Sequence, residues 1–194
     1  PDDPKPHLLQ KIERQTFRAA KIVNGLLNLS RPGSSDSSGA VDINAVVTDV
    51  LALVEHQLES GNVKVRQELS KSPVAVRGVE SKLQQVFLNL FLNARDAMLT
   101  GGWLTVTSRS GNGKAVVEIS DTGSGIPAEN LSRIYDPFFS TKGVGQGTGL
   151  GLSVTYGVVQ EHHGKIECES QLDQGTSFTL TFPMALSERA ATNE

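Results

Sequence analysis

The first hydrophobic pattern along the chain is a helical seam. Between Lys5 and Ser30, Leu8, Ile12, Gln15, Ala19, Ile22, Leu26 and Leu29 recur at heptad a and d positions, and Leu9, Val23 and Leu27 widen the stripe. A helix over this stretch is roughly 39 Å long, and so long a stripe needs a partner helix, which predicts an intermolecular or truncated bundle. Arg31-Pro32-Gly33 ends it, and the small polar residues Ser34 to Gly39 read as a linker. The expected organisation is therefore a helical segment over 1–33, a linker over 34–40, a main domain over 41–186 and a tail over 187–194.

Beyond the linker the period changes repeatedly. Val47, Val50, Leu51, Val54 and Leu58 predict an amphipathic helix closed by Gly61, followed by alternating strands over Val63–Leu69 and Val74–Arg77. Leu83 to Met98 predicts a second helix. Strands follow over Leu104–Ser108 and Lys114–Ser120, joined through Gly111-Asn112-Gly113, a hairpin signal. A glycine-rich stretch from Thr122 to Gly149 opens into a helix over Leu150–Glu161, stopped by Gly164, and a last strand pair is expected near Ile166–Glu169 and Ser177–Phe182. Mixed elements with a hairpin predict an α+β sandwich: a mixed, largely antiparallel sheet with helices on one face.

With 38% hydrophobic and 20% charged residues the composition is that of a globular protein, and no apolar run reaches the length of a bilayer span. The net charge of −3 gives no broad basic field, which argues against DNA or RNA as a partner and requires any phosphate site to be built locally. The lone Cys168 excludes an internal disulfide and a cysteine metal cluster. No signal peptide is visible, and a start at Pro1 suggests a cut or processed piece of a longer parent. A reducing, cytoplasmic location is the expectation, with room for a membrane anchor elsewhere in the parent.

Three constellations carry chemistry. The helix over 84–98 is apolar nearly all round, yet Gln85, Asn89, Asn93 and Asp96 form a polar line. Asn89 and Asn93 lie one turn apart on one face, where neutral oxygens could reach Mg²⁺ and its waters, or else cap loops or bond within the core. Asp121 shares the inward parity of Ala115, Val117 and Ile119. Its carboxylate could accept from an adenine amino group beside the bare turn Thr122-Gly123-Ser124-Gly125-Ile126-Pro127, or it could cap that turn itself. Gly145-Gln146-Gly147-Thr148-Gly149-Leu150-Gly151-Leu152 leads into a helix whose first amides suit a phosphate chain, though such loops also serve packing. It is neither a P-loop nor a Rossmann turn. Tyr135-Asp136-Pro137-Phe138-Phe139-Ser140-Thr141-Lys142 reads as an aromatic-anchored lid.

In this order, Asn-Leu-Phe-Leu-Asn-Ala-Arg-Asp-Ala, Asp-Thr-Gly-Ser-Gly-Ile-Pro, Asp-Pro-Phe-Phe-Ser-Thr-Lys, Gly-Thr-Gly-Leu-Gly-Leu and Gly-Thr-Ser-Phe resemble the N, G1, F, G2 and G3 boxes of sensor histidine kinases. The resemblance covers about Val41 to Pro183 and implies a Bergerat-type ATP-binding sandwich of the GHKL superfamily, with ATP between the N-box helix and the lid. It implies Asn93 as the Mg²⁺ ligand, Asn89 as its support, Asp121 as the adenine partner and Thr176 as the G3 residue near the base. Arg95 and Lys142 become candidates for γ-phosphate charge. Asp96, Gly123, Gly125, Ile126, Thr141, Gly147, Thr148, Gly149, Leu150, Gly151 and Leu152 complete the implied nucleotide-binding set. Many members of the family place a basic residue where Asp96 stands, which shifts phosphate neutralisation toward the lid.

The leading segment looks like the second helix of the family's dimerisation and phosphoacceptor hairpin, which implies a homodimeric parent, an acceptor helix from the parent or its dimer mate, and a response regulator receiver domain as partner. None of His7, His56, His162 and His163 has the acceptor's sequence context, so surface or capping roles are expected for them and autophosphorylation is not. Related ATPases of the superfamily usually carry a glutamate where Asn89 stands. A neutral amide cannot activate water, which ranks a GHKL-type ATPase second, beside a non-catalytic nucleotide-binding or dimerisation module.

Overall fold

In the computed structural model, residues 38–142 and 148–185 are described; the segment over 5–30 expected to form a helix, most of the expected linker and the tail fall outside them. In chain order the elements are β1 (Gly39–Asp42), α1 (Ile43–Ser60), β2 (Val63–Glu68), β3 (Ala75–Gly78), α2 (Glu80–Ala97), β4 (Gly102–Gly111), β5 (Lys114–Asp121), α3 (Ala128–Leu131), α4 (Gly151–Glu161), β6 (Lys165–Gln171) and β7 (Gly175–Pro183).

The main sheet runs β2-β4-β5-β7-β6, with β2 parallel to β4 and every other pair antiparallel. The hairpin between β4 and β5 is the one the sequence announces: Gly111 pairs with Lys114, and Asn112 and Gly113 both take positive φ (51° and 72°), as a two-residue primed turn requires. The parallel pair follows from the intervening α2, since parallel neighbours need a long crossover.

One correction concerns the linker. Gly39 and Ala40, assigned to it by composition, pair with Gly78 and Arg77 in a separate β1–β3 ribbon. Asp42 makes this junction: its Oδ1 accepts from Asn44 N–H, capping α1, and from Val74 N–H, holding the approach to β3, both at 3.0 Å.

The core lies between the helices and one sheet face. Leu104, Val106, Ala115, Val117, Ile119, Phe178 and Leu180 alternate inward and are buried against α2, whose Leu83, Phe87, Leu90 and Phe91 are also buried. Burying each such large side chain contributes about 1.5–3 kcal/mol. α2 is buried nearly all round because α1 and α4 flank it while the sheet lies beneath. It is thereby a fixed rail, and its polar line faces whatever opens between it and the glycine-rich segments.

His162 sets the start of that rail. It is buried, its Nε2 accepts from Val79 N–H at 3.1 Å, and its Nδ1 donates to Val158 O at 2.7 Å, a capping role as expected. A Cβ on Gly78 would sit 2.4 Å from its ring, so glycine is required there. His56 and His163 are exposed, and His7 lies outside the described residues.

Candidate functional site

One transverse row of the sheet builds one end of the site. Leu104, Asp121, Thr176 and Ser170 are consecutive cross-strand partners on β4, β5, β7 and β6. Asp121 is half-buried at the end of β5, and its Oδ1 accepts from Gly123 N–H at 2.8 Å, so the turn-capping reading holds. Burial pushes its carboxyl pKa upward, opposed by the backbone amides of Gly123 and Thr176. It is an acceptor held in a partly desolvated place, which suits an N–H donor from a ligand.

The turn beside it is wedged in place. Ser124 N–H donates to Ala97 O at 3.0 Å, at the end of α2, and Asp173 N–H donates to Ser124 O at 2.8 Å. A Cβ on Gly123 would lie 2.7 Å from Ala97 O, and one on Gly125, whose φ is +67°, would lie 2.0 Å from Gln171 O. Both positions require glycine for packing, because protein backbone occupies the space a Cβ would take. Ile126 N–H donates to Ser170 Oγ at 2.8 Å, and Ser170 also reaches Gly175 O and Thr176 Oγ1. Sequence reasoning missed Ser170, although a serine on the inward parity of Ile166 and Cys168 was the available signal.

The face of α2 supplies the next part. Asn89 is buried, and its Nδ2 donates to Gly151 O at 3.2 Å, tying the rail to the first residue of α4. One turn on, Asn93 is partly buried and its side chain makes no hydrogen bond among the described residues. Asp96 follows, with Oδ2 accepting from Lys142 Nζ at 2.6 Å and Oδ1 accepting from Arg95 Nε at 3.0 Å. Burial opposes the Asp96 charge, but the hydrogen bonds and charges of Lys142 and Arg95 outweigh it and hold the carboxyl below its ordinary value. Arg95 also donates to Gln57 Oε1 at 2.6 Å, so its guanidinium bridges Asp96 and α1. Of the two candidate phosphate cations, Lys142 is the one carried in from the lid side.

The glycine-rich approach to α4 closes the site. Leu150 N–H donates to Thr148 Oγ1 at 3.3 Å, Phe138 N–H donates to Gly149 O at 2.9 Å, and Leu150 is buried while Leu152 packs on the core. No acidic residue stands in the first turn of α4, so its open amides and dipole favour an anion. In the segment read as a lid, the Tyr135 ring lies 5.1 Å from Tyr156 and Arg133 covers Phe139 at 4.6 Å, whereas Phe138 and Thr141 are exposed. Gly147 lies outside the described residues. Among the described residues no three His, Cys, Asp or Glu side chains could together hold a metal, so a cation here depends on neutral donors and on the oxygens of its ligand.

Residues 78–186 match the family described as histidine kinase-, DNA gyrase B-, and HSP90-like ATPase. The chain is 33% identical over 204 residues to sensor kinase CckA of Brucella abortus (strain 2308), covering 97% of this chain and 21% of that protein. It is 32% identical over 182 residues to sensor histidine kinase ZraS of Escherichia coli (strain K12), covering 94% of this chain and 38% of that protein. The chain thus spans well under half the length of these curated relatives. Among solved structures, the catalytic domain of histidine kinase ThkA superposes with a TM-score of 0.69 at 30% identity, over 76% of this chain and 95% of that one. Acinetobacter baumannii histidine kinase AdeS superposes with a TM-score of 0.76 at 26% identity, over 95% of this chain and 86% of that one. The chain belongs to the histidine kinase-, DNA gyrase B- and HSP90-like ATPase family, and its folded unit is the ATPase domain of a sensor histidine kinase.

Proposed function

We propose that this domain binds ATP with Mg²⁺ along the α2 face and presents the γ-phosphate to a histidine on a phosphoacceptor helix, from its own parent chain or a dimer mate, for relay to a response regulator receiver domain. The observation that carries this reading is the Asn93 amide. It stands between Asn89, tied to Gly151, and Asp96, tied to Lys142, and has no hydrogen bond of its own among the described residues. Its amide atoms are open to solvent and bound to no side chain or backbone group there, so they are available to a ligand.

In this reading Asp121 accepts from the adenine amino group, selecting against a base that offers a carbonyl there, and Thr176 and Ser170 hold the wall beside it. Asn93 offers one neutral oxygen to Mg²⁺, which, when bound, neutralises phosphate charge and orients the transfer. The amides at the start of α4 face the phosphates, with Thr148 fixing Leu150 and Asn89 fixing Gly151. Lys142 brings a cation from the lid side. Asn89 cannot serve as a base for water, because its amide is neutral and its Nδ2 is committed to Gly151, so slow intrinsic hydrolysis is expected.

The direct test is to mix the chain with a separate helical hairpin bearing the acceptor histidine and assay for phosphohistidine with labelled ATP. Label on the hairpin and none on this chain is the expected result. Absence of label despite measured ATP binding would reduce the domain to a nucleotide-binding module.

A further inference from the structure

Asp96 joins elements that the sequence keeps apart. Its Oδ2 holds Lys142 Nζ at 2.6 Å, and its Oδ1 accepts from Arg95 Nε at 3.0 Å and again from the terminal guanidinium nitrogen Nη2. Arg95 is in turn anchored on Gln57 of α1 at 2.6 Å. The Asp96, Arg95 and Lys142 side chains are about a third exposed, so the cluster sits at the rim of the site rather than free in water. Two cations on one carboxylate leave it with a formal charge of +1, at the last turn of α2, where the helix dipole favours a cation and disfavours a lone anion.

We propose that Asp96 is a positioning residue for nucleotide binding: anchored by Arg95, it holds the Lys142 ammonium beside the Asn93 face of α2 before a triphosphate arrives. The proposal rests on the ATP site argued above and adds the device that readies its cation. A lysine has three donors on a flexible four-carbon stem. One N–H engages Asp96, which fixes the stem, and the others remain for phosphate oxygens. The alternative role, charge balance alone, has the opposite sign: a carboxylate near a polyphosphate repels it, so neutralising such a residue would tighten anion binding.

The test is calorimetric titration of the full chain with AMP-PNP in excess MgCl₂ and, separately, with adenosine, using Asp96→Asn, Lys142→Gln and the double variant. For AMP-PNP, Asp96→Asn should raise Kd roughly three- to tenfold, the cost of immobilising one long side chain at the moment of binding. Lys142→Gln should raise it at least as much, and the double variant should be no weaker than Lys142→Gln, because without the lysine Asp96 has nothing to hold. Adenosine affinity should stay the same throughout, whereas a merely structural role would weaken both ligands together. Asp96→Ser replaces the Asn variant if that one fails to melt cooperatively. Tighter or unchanged AMP-PNP binding in Asp96→Asn, or losses that add in the double variant, would overturn the proposal while leaving the site intact. An unaltered chain that binds no AMP-PNP would overturn the site and the proposal together.

Discussion

Asp121→Asn separates binding from folding at a single atom. In the native chain Oδ1 accepts from Gly123 N–H at 2.8 Å, and the asparagine oxygen can keep that bond, so the turn against Ala97 and Gln171 has no reason to move. The substitution also removes a partly buried charge, so folding stability near neutral pH should hold or rise slightly. The adenine amino group, however, would meet an NH₂ donor in place of a carboxylate oxygen. A hydrogen bond to a charged group contributes about 1.5–3 kcal/mol, which corresponds to a roughly ten- to 150-fold rise in Kd. The assay is titration calorimetry with AMP-PNP and MgCl₂, paired with a thermal melt. The pH dependence supplies a second reading. Burial places the folded pKa of Asp121 above the ordinary 3.8, so its protonated form is favoured by folding, and this group's stabilising contribution is complete below 3.8 and lost as pH rises through the folded value. Adenine binding runs the other way, needing the ionised form, so affinity should begin to fall at a higher pH than for an ordinary carboxyl, and Asp121→Asn should abolish that dependence. Unchanged affinity with an intact melt would refute the reasoning.

Three further outcomes follow from packing. Gly125→Ala should destabilise by more than the about 1–2 kcal/mol of a left-handed backbone alone, because its Cβ would overlap Gln171 O, whereas Gly113→Ala, with open space around it, should incur only the backbone cost; urea midpoints compare the two. His162→Ala leaves the Val79 N–H at the start of α2 without its acceptor, and an unsatisfied buried donor costs about 1–3 kcal/mol in the same assay; an unchanged midpoint would deny His162 a capping role. Burial, with the charges of Asp121 and Glu169 adding to it, pushes the Cys168 thiol up to about 12, so maleimide labelling should be slow in the folded chain and fast in urea, and equal rates would contradict the burial.

How far the molecule was legible depends on whether local or distant residues decide. The β4–β5 hairpin is local, and Asn112-Gly113 fixes it; the all-round apolar face of α2 likewise announced a helix with neighbours on every side. β1 was not legible, because only Val41 in it is buried and its extended form comes from pairing with β3, a partner far along the chain. The inward parity of β5 placed Asp121 correctly. The packing around Gly123 and Gly125 was not legible, since what fills the space at a glycine is a tertiary fact. The Asp96–Lys142 pair spans 46 residues, and no spacing rule links them. Nor does the sequence reveal that Arg95 bridges Asp96 and Gln57 of α1, a contact 38 residues away along the chain.

The central claim is that one nucleotide reaches from the sheet end to the α2 rail, and a crystal structure of the chain with AMP-PNP and Mg²⁺ tests it most directly. The account predicts the purine amino group within hydrogen-bond distance of the Asp121 carboxylate and the metal at the Asn93 amide oxygen. A purine seated away from Asp121, or a metal that never approaches Asn93, would contradict it.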